Sequence, residues 1–219
     1  MTNPCFNLIN VFPLTTKEHS AKEVALADAG NGELREIKQF ENEISVVKAI
    51  IDGEGLGEAK SSLEDALKSS KIYRKWQDLM PFLKDVPNIY SFRTKSKKKS
   101  NVMLVDDEII KVGGLLPKGQ ILYRGGCFES KDIEVVDGPI STTTMPSVAR
   151  WHAKKVEGQI AILKVSGDYK TKAFAFKTRG NQRLKYEYEV LLQNNLCLKY
   201  VQSFSHGGMG IFEYEVHVV

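Results

Sequence analysis

Cysteine is scarce in this chain. Three occur among 219 residues, Cys5, Cys127 and Cys197, far apart and odd in number. Their spacing excludes a disulfide scaffold and a cysteine-based zinc site, and it suits a reducing compartment. No other metal site is expected. Long apolar runs are also lacking. No stretch is long enough to cross a bilayer, and no secretory apolar region stands at the N-terminus. The expectation is a cytoplasmic chain, of the producer or of a target cell after delivery, with no membrane partner. A strong charge bias is absent too: the net charge of +4 permits contact with nucleic acid without arguing for it. There is no internal repeat. The remainder is ordinary for a globular protein, 42% hydrophobic and 26% charged, so a sizeable core can be buried.

Helical periodicity fills the first hundred residues. Thr15 and Glu18 have the spacing of a capping box that would open a short helix to about Ala29. Leu34, Ile37, Phe40, Ile44, Val47 and Ile50 recur at helical steps and predict one helix, ended by the glycines after Asp52. Two more are predicted, one from about Ser62 with Leu63, Ala66 and Leu67, the other along Ile72, Trp76, Leu79 and Leu83. Such stripes are core faces, not sites. Residues 92–100 (FRTKSKKKS) form a basic run, read as a solvated loop or as a contact for phosphate or an acidic partner.

That run marks a change of pattern. After Gly119 short strands dominate, over 120–123, 140–144, 159–166 and 173–177, with a closing hairpin over 196–219. One helix interrupts them, 146–155, with proline in its first turn. The fold class expected is α+β, with a helical N-terminal region over 1–100 and a strand-rich domain over 101–219.

Three motifs in the second part carry chemistry. Tyr123-Arg124-Gly125-Gly126 puts an arginine beside glycines. Its guanidinium suits a diphosphate or ribose oxygens, and glycine lets a ligand approach the backbone. Ser141-Thr142-Thr143 is a hydroxyl-rich strand whose Ser141 and Thr143 would share a face and orient a carboxylate such as Glu189. Glu187-Tyr188-Glu189 precedes the apolar run Val190-Leu191-Leu192. On an extended strand the two glutamates would look into one cleft, with Tyr186, Tyr188 and Val190 on the other face. Taken singly, the three motifs also suit a surface arginine, threonines in an edge strand and an acidic strand face.

In this order, Arg124, Ser141-Thr142-Thr143 and Glu187-x-Glu189 resemble the arginine–serine–glutamate (R-S-E) class of mono-ADP-ribosyltransferases, which includes bacterial toxins and effectors and phage Alt- and Mod-like enzymes. The resemblance covers roughly 115–219. "YRG" around Arg124, "VLL" after Glu189 and Ala149 in the helix after the serine agree with it. Thr143 departs from it, standing where the family usually has a second serine. Relatives often carry a phenylalanine against nicotinamide and an arginine for phosphate where this chain has His152 and Lys155, with Trp151 alongside. Trp151 also suits core packing.

The resemblance implies a mixed, mostly antiparallel β-sandwich core with NAD as substrate in a cleft, and no metal. It implies that Glu189 holds the ribose 2′-hydroxyl and stabilises the developing cation, and that Ser141 positions Glu189. Arg124 would hold a phosphate or the adenosine ribose, and the Gly125 backbone the carboxamide. Thr143, Trp151, His152 and Lys155 would complete the NAD site, and Glu187 would orient and deprotonate the acceptor. Glu-x-Glu usually accompanies a protein arginine acceptor. The loop before it, with Lys177, Arg179, Arg183, Lys185 and Tyr186, is expected to meet the target. Its cations suit an acidic patch around a target arginine, or an RNA or DNA backbone. An immunity or antitoxin protein is a further partner such an enzyme would have. A non-enzymatic, basic nucleic-acid-binding module stands as the alternative from another class.

Overall fold

The computed structural model describes residues 3–16, 20–30, 36–53, 57–94, 101–167, 170–178 and 184–219. The chain is α+β, with helices gathered in its first half and strands in its second. A short antiparallel pair comes first, β1 (Leu14–Thr15) with β2 (Gln39–Phe40), and α1 (Ala21–Asp28) lies between them in sequence. The capping box is not the expected one. Thr15 is committed to β1, and Ser20 and Glu23 cap α1 reciprocally.

The long helix expected from Leu34 is shorter than its stripe. Phe40 belongs to β2, and α2 (Glu43–Asp52) starts only after Asn42, which caps it with Ser45; Leu34 lies outside the described residues. Ser70 separates α3 (Glu58–Ser69) from α4 (Lys71–Leu79), ending the first and accepting from the Tyr73 amide of the second. The basic run differs most from expectation. Phe92 and Arg93 lie in α5 (Pro87–Thr94), whose amino end is held by Glu108 of α6 (Val102–Val112) through the amides of Asn88 and Ile89, at 3.1 and 2.8 Å. A carboxylate there meets the free amides and the positive end of the helix. The rest of the run, 95–100, lies outside the described residues.

Nine strands form the main sheet. They are β3 (Gly114–Leu115), β4 (Ile121–Gly126), β5 (Ile133–Val136), β6 (Ile140–Thr143), β7 (Gln159–Val165), β8 (Lys172–Ala175), β9 (Glu189–Leu192), β10 (Leu196–His206) and β11 (Met209–Val218), with α7 (Pro146–Lys155) after β6. Their spatial order is β3-β8-β9-β6-β4-β7-β11-β10-β5. Pairing is antiparallel except between β7 and β11, as the expectation of a mixed, mostly antiparallel sheet requires. The ladder is thinnest between β4 and β6, where the register is the single pair Tyr123 with Thr143. That seam divides the sheet into a four-stranded and a five-stranded part.

One core cluster draws on both parts and on the helices. Leu122, Leu163 and Val216 from one side meet Ile140, Phe174 and Val190 from the other, with Trp76, Ile89 and Val105 from the helical half. The opposite face of β4, β7 and β11 is covered separately: Tyr123, Ile160, Ile162 and Ile211 pack on Ala149 and Ala153 of α7 and Val47 and Ile51 of α2. The seam between β4 and β6 is where the motif residues collect.

Candidate active site

Glu189 opens β9, opposite Thr143 of β6. Its side chain is buried, 7% exposed. Ser141 Oγ donates to Glu189 Oε1 at 2.8 Å, and Arg124 Nη1 donates to the Ser141 carbonyl at 2.9 Å. Arginine, serine and glutamate thus tie β4, β6 and β9 together across the seam. Burial draws the Arg124 guanidinium below its ordinary range, with Glu134 acting against that. Arginine remains a cation under such a shift.

A buried carboxylate needs a counter-charge, and the residue supplying it was not among the sequence candidates. Arg93 Nε lies 2.9 Å from Glu189 Oε2, with the two side chains only 3% and 8% exposed. Arg93 Nη2 donates to the Leu184 carbonyl at 2.8 Å, and the guanidinium lies over the Phe176 ring, 4.1 Å from its centroid. Burial lowers the Arg93 pKa, while Glu189 and Glu187 raise it. A signal was present in sequence: Pro87 in a first-turn position, with Ile89 and Phe92 three apart. The lysines that follow hid it.

Glu187 is not on the strand. Lys185–Glu187 form one 3-10 turn, Leu184 and Tyr188 flank it in the left-handed region (φ 58° and 48°), and β9 begins at Glu189. The two carboxylates share a cleft because the turn brings them there, not because alternate residues share a face. Tyr188 is buried against Tyr73 and donates to Glu64 Oε1 at 2.9 Å, while Tyr186 is 60% exposed. Thr143 also acts differently from expectation. Its hydroxyl donates to the Glu187 carbonyl at 2.6 Å and accepts from the Met145 amide, so it anchors the turn and not a carboxylate. Burial raises the Glu187 pKa, and Arg93 and Lys155 oppose the rise.

The cleft encloses about 190 Å³ and brings together Arg124, Gly125, Ser141, Thr143, His152, Glu187 and Glu189. Gly125 has a packing reason to be glycine. A β-carbon there would overlap the Ala149 carbonyl of α7 and approach the Ala153 amide to 2.5 Å. Trp151 is not core: it is 45% exposed and borders a neighbouring groove with Tyr186 and Tyr188. Lys155 Nζ sits 3.3 Å from the Trp151 ring centroid. Lys177 lies over Phe82 at 4.3 Å, Lys185 is exposed, and Arg179 and Arg183 fall outside the described residues. Among the described residues no group of acids, histidines or cysteines could hold a metal, and no helix is long and apolar enough to cross a membrane.

Among solved structures, the fold is similar to the ADP-ribosyltransferase Vis of Vibrio splendidus in complex with an inhibitor, at 15% identity and a TM-score of 0.44, over 81% of this chain and 86% of that one. It is similar to C3stau2 from S. aureus, solved with NAD, at 16% identity and a TM-score of 0.47, over 83% and 99%. Plx2a, an ADP-ribosyltransferase toxin from Paenibacillus larvae, aligns at 15% identity and a TM-score of 0.40, over 73% and 96%. No family model matches the chain, and no curated protein sequence does. The functional reading therefore rests on the residues of the cleft.

Proposed function

We propose that the chain is a mono-ADP-ribosyltransferase of the R-S-E class, cleaving NAD at the nicotinamide glycosidic bond and passing ADP-ribose to a macromolecular acceptor. The observation that carries this reading is the Ser141–Glu189 hydrogen bond at the seam, with Arg124 bound to the same serine. Three weak motifs far apart in sequence converge on one buried carboxylate.

The cleft fits part of NAD. At about 190 Å³ it is below the usual range of about 300–1,000 Å³ for a whole small-molecule ligand. It would take nicotinamide and its ribose, with the diphosphate outside, toward Arg124 and Lys155. Gly125 would offer its backbone to the carboxamide, and His152, exposed on the cleft wall, a flat ring to nicotinamide; Trp151, in edge contact with His152, borders the neighbouring groove. Cleavage builds positive charge at the ribose C1′, and a fixed carboxylate is the matching charge. Glu189 supplies it and holds the 2′-hydroxyl. The bond from C1′ to the pyridine nitrogen breaks, and its electron pair leaves with nicotinamide. The acceptor's lone pair forms the new bond to C1′, and the acceptor proton passes to Glu187 and then to solvent. A carboxyl whose pKa is raised by burial is the better base for that task.

The resemblance favours a protein arginine as acceptor and the role of toxin, effector or phage host-modifying enzyme, acting in the cytoplasm of the producer or of a target cell, with an immunity protein as a natural partner. We keep 101–219 as the catalytic part and 1–100 as a helical region, adding Arg93 from that region to the site. The sandwich arrangement fits a core cluster shared by the two parts of the sheet. A nucleic-acid acceptor is the second reading, favoured by the cations Lys177 and Lys185. Incubation with labelled NAD and a cell lysate tests the proposal. Label should enter a macromolecule, and protease and nuclease digestion should identify which. A mobility shift with nucleic acid and no NAD turnover would select the non-enzymatic module.

A further inference from the structure

A second cavity adjoins the reaction cleft. The two share Val148, and Glu187 of the first stands between Tyr186 and Tyr188, which border the second. It encloses about 550 Å³, room enough for a nucleobase and its sugar. α3 contributes Lys60 and Glu64, and α7 contributes Arg150, Trp151 and Lys154.

Its chemistry is specific in two respects. First, two large aromatic rings stand open on its walls, Trp151 at 45% and Tyr186 at 60% exposure. Lys155 occupies one face of Trp151, so the ring already serves as a platform for a flat or cationic group. Second, the charged groups on its walls are mainly positive. Glu64, the acid on the wall, is taken by Lys68 Nζ at 2.8 Å and by the Tyr188 hydroxyl at 2.9 Å. Among the described residues neither Lys60 nor Lys154 has an acid within ion-pair distance, although Lys60 acts on the charge of Glu64; Arg150 is buried and donates to the Ile51 carbonyl. A guanidinium would meet the ammonium groups of Lys60 and Lys154 and a carboxylate already held by Lys68 and Tyr188. A nucleotide would find aromatic faces for its base and ammonium groups for its phosphates.

We propose that this groove is the acceptor subsite and that it takes single-stranded nucleic acid, with bases stacked on Trp151 and Tyr186 and the backbone on Lys60 and Lys154. The acceptor role rests on the transferase reading of the adjoining cleft; the binding itself does not. A base held there lies next to Glu187, the group assigned to the acceptor proton.

The test uses the full chain, a fluorescein-labelled eight-nucleotide RNA of mixed sequence, and no NAD. Anisotropy should report binding, weakening with salt by about 0.7 in log–log slope for each phosphate contact. Lys60→Glu and Lys154→Glu should each lower that slope, and Tyr186→Ala should weaken binding by about tenfold, the loss of one stacked base. Trp76 is 1% exposed, so quenching of the exposed tryptophan emission reads Trp151 directly. Absence of binding, binding indifferent to all three substitutions, or displacement by an arginine peptide as effective as by unlabelled RNA would overturn the proposal. Because NAD is left out, such a failure leaves the transferase reading standing. Conversely, a chain that binds RNA but neither cleaves NAD nor labels any acceptor would remove the acceptor role, leaving a binding groove.

Discussion

Arg93 Nε stands 2.9 Å from Glu189 Oε2, inside the protein and on an element that the sequence pattern assigns to the other half of the chain. Removing one partner of a buried pair strands the other charge, at a cost of about 3–5 kcal/mol. Arg93→Met should therefore lower the melting temperature and, by freeing Glu189 from its position, lower kcat for NAD cleavage more than it raises KM. Arg93→Lys keeps the charge but loses the planar contact with Phe176. It should recover part of both. Thermal melts and steady-state kinetics on the two variants check this, and a Met variant with wild-type kcat would detach Arg93 from the site.

Glu189→Gln tests the carboxylate itself. The amide keeps the shape and can still accept from Ser141, but it has no charge to set against the developing cation. Loss of one placed electrostatic group costs about 100- to 1,000-fold in kcat. Both transfer and NAD hydrolysis should fall by that order, measured as nicotinamide release. More than half of wild-type turnover would end the assignment of Glu189.

Glu187 should separate the two reactions. Glu187→Gln should lose transfer while slow NAD hydrolysis persists, since water needs less help than a positioned acceptor. The pH dependence follows from the raised pKa. The folded protein binds this proton more tightly than the unfolded chain, so the contribution to stability is present below the unfolded value of 4.5 and is lost as pH rises through the higher folded value. Transfer should rise over the same interval, as the base becomes available. The Gln variant should show neither effect. Equal loss of transfer and hydrolysis would refute the division of labour.

The Ser141–Glu189 contact was legible from the alternation that turns the Ser141 hydroxyl toward a carboxylate and from a family-like order of motifs. α7 was legible from Pro146 in its first turn. Glu187 was misread in its geometry, since the alternation rule assumes a strand, and two left-handed residues, Leu184 and Tyr188, break it. Phe40 was misread because an apolar residue at helical spacing is also an apolar residue in a two-residue strand, and only pairing with Leu14 distinguishes them. Arg93 was hidden by its neighbours: a run of like charges reads as solvated, yet its first cation faces inward from a helix that Glu108 caps from another element. Contacts that close over such sequence distances leave no local trace.

A fragment beginning at Ser100 should not behave as an independent enzyme. It would lack Arg93, and it would uncover core residues such as Phe174 and Val190 that share a cluster with Trp76, Ile89 and Phe92. We expect poor solubility and no NAD binding by calorimetry. A folded fragment that binds NAD as tightly as the full chain would contradict the shared core.

The two glycines after Arg124 make a paired test of the cleft wall. A β-carbon on Gly125 would collide with the backbone of α7 at Ala149 and Ala153, whereas one on Gly126 would meet the Phe128 ring at 3.5 Å, an ordinary contact. Gly125→Ala must push α7 outward, and overpacking of this kind costs about 1–3 kcal/mol. For a chain of this size each kcal/mol lowers the melting temperature by about 2–4 °C. α7 carries Ala149 and His152 of the cleft wall, while Ser141 and Glu189 sit on β6 and β9. The displaced wall should therefore weaken substrate binding, raising KM for NAD, while kcat falls less. Gly126→Ala should be close to wild type in both measurements. Melting curves and NAD kinetics on the pair decide the matter: if Gly125→Ala melts and binds like Gly126→Ala, close packing of α7 is not what keeps glycine beside the arginine.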